Sequence, residues 1–447
     1  MRMRKVILIL STVLLLVAVA GAQPPMPMER QYGVILAGAG FPAPDSLAPR
    51  IDIVYRMERD FFVPVRAADS TGAGPYVRSG EILVELFDSA DVSAAREIIQ
   101  VKIPEAQAEP VPGERLASEG MVSFSVPAGR YRVLFEATDR QSQRRFLNPP
   151  LWVQTTAGAR TPLQLYPVWF VSQESGELLR IDSFGRDMLF SAMRQLLVAL
   201  VLPHDTLTGV RVDYQIAETE KDEKATTVVF ADTLAWVPLI KGKEPVIAKS
   251  DGTPHYQLRE RPGSRVAYLA IPLHTEMLPL RSYLLTAHVS AAGETAILTR
   301  PFKNMWPSMP QSLKNVEMAL EALRFITTES KLDSLRKGDF ENRRNNLERF
   351  WAEKDGTPGT ALNEVMAEYY RRVDHAQREF ATLKEPDGTK SDRGRIFVLY
   401  GPPTRTERSL QPRGSHTETW FYDRSKRQFT FVDENRNGTY TLLPAKP

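Results

Sequence analysis

The chain reads as a multidomain β-rich protein, with two tandem immunoglobulin-like β-sandwich regions followed by an α+β C-terminal domain. Three observations predict this. From residue 51 to about 305, short runs of β-branched and aromatic residues are separated by glycine, proline and aspartate. After Pro310 the apolar residues switch to a period near 3.6, and beyond about residue 390 strand-like runs return.

In the first region, assigned to residues 51–158, strands are expected at 51–56, 61–65, 81–87 and 98–103. The clearest pair runs Met121-Val-Ser-Phe-Ser-Val, turns through Pro127-Ala-Gly-Arg and continues from Tyr131 to Ala137. Tyr131, Val133 and Phe135 alternate with Arg132, Leu134 and Glu136, so one side can face a core. Residues 23–50, rich in proline, glycine and alanine, read as a flexible lead-in.

The second region, residues 163–305, repeats the texture at 197–202, 209–216, 226–230, 264–273 and 282–289. The segment from Arg281 to Ser290 echoes the one that begins at Arg130, which suggests two similar units. His204, Asp205 and His255 lie near turns without a companion set, so neither a catalytic nor a metal role follows from them.

In the C-terminal region, residues 311–447, Leu313, Val316, Leu320, Leu323 and Ile326 predict a first amphipathic helix. A second is expected over 329–336 and a third from about Phe340 to Lys354. The fourth carries Leu362, Met366, Tyr369, Val373, Ala376 and Phe380 on one stripe, with Thr360 as its expected cap and Asp374 and His375 on the charged face. Residues 388–403 then read as a charged turn feeding an apolar strand, Ile396–Tyr400, that stops at Gly401-Pro402-Pro403. Strands at 418–422, 428–432 and 439–443 complete a sheet. Asp433, Asn435, Asn437 and Gly438 imitate half a calcium loop, but Pro444 stands where a bidentate carboxylate is needed, so a hairpin turn is the better reading.

Composition narrows the function. Arg2, Arg4 and Lys5 precede an uncharged run from Val6 to Gln23, with Ala20 and Ala22 suited to cleavage. Residues 1–22 are therefore expected to be a signal peptide, and a periplasmic or extracellular location follows; an uncleaved membrane anchor is the alternative. With no cysteine, lipoprotein anchoring, disulfides, thiolate metal sites and cysteine catalysis are excluded. The leader's three basic residues account for the whole net charge of +3, so no field remains to attract nucleic acid.

Several blocks occur in order: Phe350-Trp-Ala-Glu-Lys-Asp-Gly-Thr-Pro-Gly-Thr, Asn363-Glu, Glu368-Tyr-Tyr-Arg-Arg-Val, and Asp392-Arg-Gly-Arg-Ile-Phe-Val-Leu-Tyr-Gly-Pro-Pro. Together they resemble the GWxTD domain family over roughly 313–443. The Gly-Trp-any-Thr-Asp signature falls on Gly388, Thr389, Lys390, Ser391 and Asp392, so threonine and serine replace its tryptophan and threonine. The resemblance implies an exported bacterial protein and supplies no reaction.

The candidate binding or structural motif comprises Gly388, Lys390, Ser391, Asp392, Arg393, Arg395, Tyr400, Gly401, Pro402 and Pro403. No catalytic residue, metal ligand or cofactor is assigned, and the glycine-proline-proline stop lacks the lysine and helix context of a phosphate loop. The expected function is a structural or protein-docking role in the cell envelope, with an envelope or secreted protein as partner and self-association as a further possibility. The alternative is an envelope glycan-binding or glycan-hydrolysing protein, with Asp392, Glu418, Arg395 and Tyr400 gathered at one sheet edge.

Overall fold

In a computed structural model, residues 33–444 are described apart from 45–47, 67–75, 106–116, 160–161, 175–176, 185–186, 191–192, 221–223, 251–252, 307, 383–384 and 410–413. The expected leader and residues 23–32 of the lead-in lie outside the described residues. Four antiparallel-rich sheets and a few helices make up the rest. None of the described helices is long and apolar enough to cross a membrane.

The expected lead-in is corrected first. Val34–Phe41 is a strand, paired antiparallel with Arg50–Glu58, which pairs in turn with Ala117–Ser125. Ala37, Ala39 and Phe41 enter a core. A Cβ added to Gly38 would lie 2.2 Å from the Val153 side chain, and one on Gly40 would lie 2.0 Å from the Gln154 carbonyl oxygen. Gly38-Ala39-Gly40 therefore permits close backbone approach rather than a flexible tether.

A second sheet is centred on Tyr76–Phe87, flanked by Ser93–Glu105 and Gly129–Asp139. Tyr131, Val133, Phe135 and Ala137 are buried in alternation, as the sequence predicts. Phe135 meets Tyr55 of the first sheet with ring centroids 5.2 Å apart. The strand expected over 61–65 shrinks to Pro64–Arg66, behind a 3-10 turn at Arg59–Phe61. Phe61 and Phe62 are both buried and meet edge to face, which the alternation of a strand facing one core does not allow.

The largest sheet contains Leu165–Gln173, Arg194–Val201 and Val266–Leu273, and its strand Arg194–Val201 is buried on both faces. Leu196, Val198 and Leu200 enter one core, whereas Leu197 and Ala199 enter the core shared with Val34–Phe41. That explains the unbroken apolar run from Leu196 to Leu202. The long strand Ala225–Ile240 pairs first with Gly209–Thr219 and then, through Leu239 and Ile240, with Val266–Leu273. The echo between the two β-rich regions has a structural counterpart. Tyr131 donates to the Pro127 carbonyl at 2.8 Å and Tyr283 to the Pro279 carbonyl at 2.9 Å, both within a Pro-x-x-x-Tyr segment.

The first and largest sheets are locked together by a buried polar chain. Trp169 Nε1 donates to the Tyr256 hydroxyl at 3.0 Å, and Tyr256 donates to Asp52. Ser123 donates to the same carboxylate, and Arg50 Nε lies 3.0 Å from it. Burial alone would lower the Arg50 guanidinium, but Asp52 and the surrounding phenols hold it above its ordinary value.

Among the described residues, five helices precede the last sheet: α1 (Val316–Ala322), α2 (Glu329–Leu335), α3 (Phe340–Ala352), α4 (Glu364–Glu379) and α5 (Asp392–Tyr400). The first is shorter than its periodicity suggests and is flanked by 3-10 turns. The cap of α4 is Asn363, which accepts from Met366 N–H at 2.8 Å, rather than Thr360, whose hydroxyl bonds to the Thr357 and Leu362 carbonyls. Strands His416–Tyr422, Arg427–Asp433 and Thr441–Leu442 share one core with these helices, and the exposed strand Arg405–Ser409 pairs at the edge of their sheet.

Asp52→Ala is expected to cost about 3 kcal/mol, because it strands Arg50 at a covered interface; urea denaturation measures this. Burial first, and Asp52 second, push the Tyr256 phenol well above its ordinary value, while burial pushes Tyr268 up to about 12. The folded protein thus keeps protons above pH 10 that the unfolded chain releases. These groups favour folding fully below about pH 10, and their contribution is lost as pH rises toward and through the folded values. The fall of the urea midpoint with alkaline pH should be shallower in Tyr256→Phe.

Candidate functional site

Residues 388–403 form a turn and a helix rather than a turn and a strand. Asp387 caps a 3-10 turn over Gly388–Lys390, and Ser391 caps α5 by accepting from Gly394 N–H at 3.0 Å. Gly401 ends the helix at φ 77°, its N–H bonded to the Phe397 carbonyl at 2.7 Å, and Pro402 and Pro403 follow. The Ile-Phe-Val-Leu-Tyr run has strand-like composition. Nevertheless Ile396, Phe397 and Val398 are buried consecutively while Leu399 is exposed, a helical arrangement between a serine cap and a glycine stop.

Gly388 and Gly394 are needed for space. A Cβ on Gly388 would stand 2.2 Å from the Ala376 carbonyl oxygen, and one on Gly394 would stand 2.0 Å from that of Gly388. The end of α4, the 388–390 turn and the start of α5 therefore pack backbone against backbone. Thr389 is buried. Its hydroxyl donates to Asp387 at 2.6 Å and accepts from Arg324 Nη2 at 2.8 Å. Partial burial would raise the Asp387 carboxyl, but hydrogen bonds from Thr389 and the charge of Arg324 hold it below its usual range.

The remaining motif residues are engaged within the fold. Asp392 accepts from Leu442 N–H at 2.7 Å and faces Arg395 at 3.4 Å, tying α5 to the last strand. Arg393 reaches buried Glu418 at 3.3 Å and covers the Tyr440 ring at 4.1 Å. Burial pulls its guanidinium below its ordinary value, and Glu418 offsets this only in part. Glu418 also accepts from Trp420 Nε1 at 2.8 Å. The Tyr400 hydroxyl accepts from Arg427, and its ring packs against Tyr422 and Phe429.

The five basic residues between Lys390 and Arg408 are likewise matched by acids. Lys390 faces Asp387, Arg405 faces Glu407, and Arg408 faces Glu418. Asp392 and Glu418 thus serve as structural acceptors, and this arrangement gives no support to a carboxylate pair for glycan hydrolysis.

Asp374 and His375 depart from the surface roles expected of them, whereas Asp433 does not. Asp374 is buried and accepts from Ser312 N–H at 2.9 Å and Gln311 N–H at 2.5 Å, capping the turn before α1. His375 stacks on Phe397 at 4.1 Å. Asp433 accepts from Asn437 and Gly438 N–H groups, forming the expected hairpin turn.

Sequence reasoning missed an open groove of about 560 Å³ on α3, α4 and α5. Trp351 and Tyr369 are buried in its wall, while Val365 and Leu399 present apolar side chains that are 49% and 39% exposed. Lys354, Glu364, Glu368 and Arg372 supply its polar lining. Glu368 pairs with Arg372 at 2.7 Å and Arg371 at 3.1 Å, leaving little uncompensated charge. Most of these residues belong to the blocks 350–360, 363–364, 368–373 and 392–403, so segments distant in sequence converge on one surface. An α5 helix, unreadable from a strand assignment, is what brings Leu399 there.

Residues 282–444 match the GWxTD domain. The chain carries a GWxTD domain. The match starts ahead of the expected 313 and takes in the hairpin Ser282–Ala291 and Glu294–Met305, which belongs to the largest sheet. No curated protein matches the chain. Among solved structures, the crystal structure of red sea bream transglutaminase has 9% identity and a TM-score of 0.16; the similarity covers 62% of this chain and 31% of that one. The chain spans under a third of that protein's length, and a likeness at this TM-score carries no functional argument.

Gly394→Ala is expected to destabilise the GWxTD domain by about 2 kcal/mol, because the added methyl meets a carbonyl oxygen in a packed turn. Ser391→Ala should cost about 1 kcal/mol through loss of the helix cap. Thermal denaturation of both full-length variants, with Leu399→Ser as an exposed-site comparison, measures the difference.

Proposed function

We propose that this GWxTD protein is an exported cell-envelope protein with a structural, docking role, and that the groove on α3, α4 and α5 holds an apolar segment of a protein partner. The observation that carries the reading is the convergence of the family-like blocks on this partly apolar surface. Trp351 and Tyr369 give it a rigid aromatic wall, and Val365 and Leu399 offer apolar area that a partner can cover. The mixed charges at Lys354, Glu368 and Arg372 suit a polar rim.

In this reading, two immunoglobulin-like sandwiches precede an α+β C-terminal domain. The alternating burial of Tyr131, Val133 and Phe135 and the paired Pro-x-x-x-Tyr bonds support the sandwich assignment. The joining of helices and the last sheet in one core supports the α+β assignment. The first unit begins at Val34 rather than Ile51, while the proposed second unit remains 163–305 and the C-terminal domain 311–447. The charged start and apolar run of the leader support export to the periplasm or cell exterior.

A photo-crosslinking amino acid at Val365 or Leu399, introduced in intact cells, should trap one protein of discrete mass that Ile297, exposed on the β-rich part, does not trap. Leu399→Glu should weaken binding of the purified partner by about tenfold. Equal trapping from Ile297, or a fully folded Leu399→Glu variant with unchanged binding, would sink the docking proposal. Independently, N-terminal sequencing of the envelope-fraction protein should begin after Ala22; recovery of the intact chain in the cytoplasm would count against export.

A further inference from the structure

The largest sheet curls back on itself. Only Lys241 and Gly242 separate Ala225–Ile240 from Lys243–Ser250, yet these two strands stand at opposite ends of a run of seven in hydrogen-bond order. Between them lie Val266–Leu273, Arg194–Val201, Leu165–Gln173, Leu178–Ile181 and Thr253–Glu260. A two-residue turn, with Gly242 at φ 63°, can join the ends only if the run closes into a trough. Lys243–Ser250 does return beside Val266–Leu273.

One end of this trough is filled by the core shared with Val34–Phe41. Toward the other end the inward-facing residues change character. Two residues from buried Leu197 stands Gln195, two from Val171 stands Gln173, and four from Tyr268 stands Pro272, each on the same side of its strand. With Leu179, Ile240, Leu258 and Lys243 they line an open cleft of about 640 Å³ to which all seven strands contribute.

Trp236 also lines this cleft and is 60% exposed. Ala235 and Trp236 together oppose Arg211, a bulge that turns the indole out of the ladder. Its six-membered ring lies on the backbone of Gly209, where a Cβ would meet Cζ2 at 2.3 Å and Cε2 at 2.4 Å. The ring is thus a supported plate with its second face open. Among the described residues, the Gln195 carboxamide and the Trp236 Nε1–H have no hydrogen-bond partner within the protein. Charge in the cleft is balanced: Lys243 pairs with Glu177 and stands 3.6 Å from Glu260, and Lys241 Nζ donates to the Asp205 carbonyl at 2.5 Å.

We propose that this cleft binds a neutral saccharide, one ring of which lies on the Trp236 indole while its hydroxyls bond to Gln195 and to the Glu177–Lys243 pair. A pyranose has an apolar face of C–H groups and a rim of hydroxyls, which matches an open aromatic plate beside an uncommitted carboxamide. Balanced charge gives an anionic ligand no advantage. A stacked proline would use the plate but leave the carboxamide unpaired, so a polypeptide fits less well. The mouth of a curled sheet is a recurrent place for a small ligand. The cleft lies outside residues 282–444 and shares no lining residue with the groove at Val365 and Leu399.

Saturation-transfer NMR of the full chain with cellobiose, maltose and N,N′-diacetylchitobiose tests the site. At least one should bind with a dissociation constant of about 1 mM, as suits one stacked ring and a few hydrogen bonds. Trp236→Ala should weaken binding by at least about tenfold and Gln195→Leu by about fivefold. Trp152→Ala, at another exposed tryptophan, should leave it unchanged. Near-UV circular dichroism checks that each variant folds, and either cleft substitution serves if the other fails. Loss of binding in a folded cleft variant, with Trp152→Ala unaffected, supports the site. Absence of binding by all three saccharides up to their solubility, undiminished binding in every folded cleft variant, or equal loss in Trp152→Ala overturns it. Binding of N-acetyl-triproline amide at Trp236 without any saccharide assigns the plate to a polypeptide and overturns it as well.

Discussion

The carboxylate of Asp52 is the constraint around which the β-rich part is arranged. It lies in Arg50–Glu58, at the centre of a three-stranded sheet, and is fully buried. A carboxylate there needs compensation on several sides: Ser123 and Tyr256 donate to it and Arg50 forms an ion pair with it. Tyr256 belongs to the neighbouring large sheet, so satisfying the carboxylate also aligns two sheets. Apolar packing of Ala37, Phe41, Val54, Leu197 and Tyr268 supplies burial around this link, while the polar bonds restrict how the faces can slide. The two β-rich regions therefore meet across a shared core rather than hanging as independent beads.

Much of that architecture was readable because burial on one face leaves a period of two. Tyr131, Val133 and Phe135 revealed their strand in this way. The same rule weakens where both faces are covered: Leu196 to Leu202 shows no alternation, so its strand was readable but its two cores were not. Gly38-Ala39-Gly40 was misread for a related reason. Small residues suit a loose tether and a tightly covered strand equally well, and only the nearby Val153 and Gln154 distinguish them. Pro127 and Pro279, each four residues before its tyrosine, were visible throughout, but hydrogen bonding gives that spacing its meaning.

The same distinction governs the candidate site. Composition made Ile396–Tyr400 look like a strand, whereas the termini specify a helix through Ser391 and Gly401. Gly388 and Gly394 then let the preceding turn settle onto α4 and α5. Sequence reasoning found the motif and grouped Glu418 with it, but it could not find that Glu418 pairs with Arg393 or that Arg324 bonds to Thr389, because these contacts depend on the fold. It also could not find the groove, since Trp351, Val365 and Leu399 approach one another only after three helices pack.

The motif's physical work therefore occurs mostly behind the surface that a partner would meet. Asp392 and Arg393 anchor α5 to the last sheet, and Gly394 fixes its close approach to the preceding turn. With its start held this way, α5 presents Leu399 beside Val365, over a wall made by Trp351 and Tyr369. Changing an anchoring residue can thus shift this surface without being part of it, whereas changing Leu399 alters the exposed surface itself. The backbone constraints at the turn, where Gly388 meets the Ala376 carbonyl and Asp392 holds the last strand, do not require an indole at Thr389.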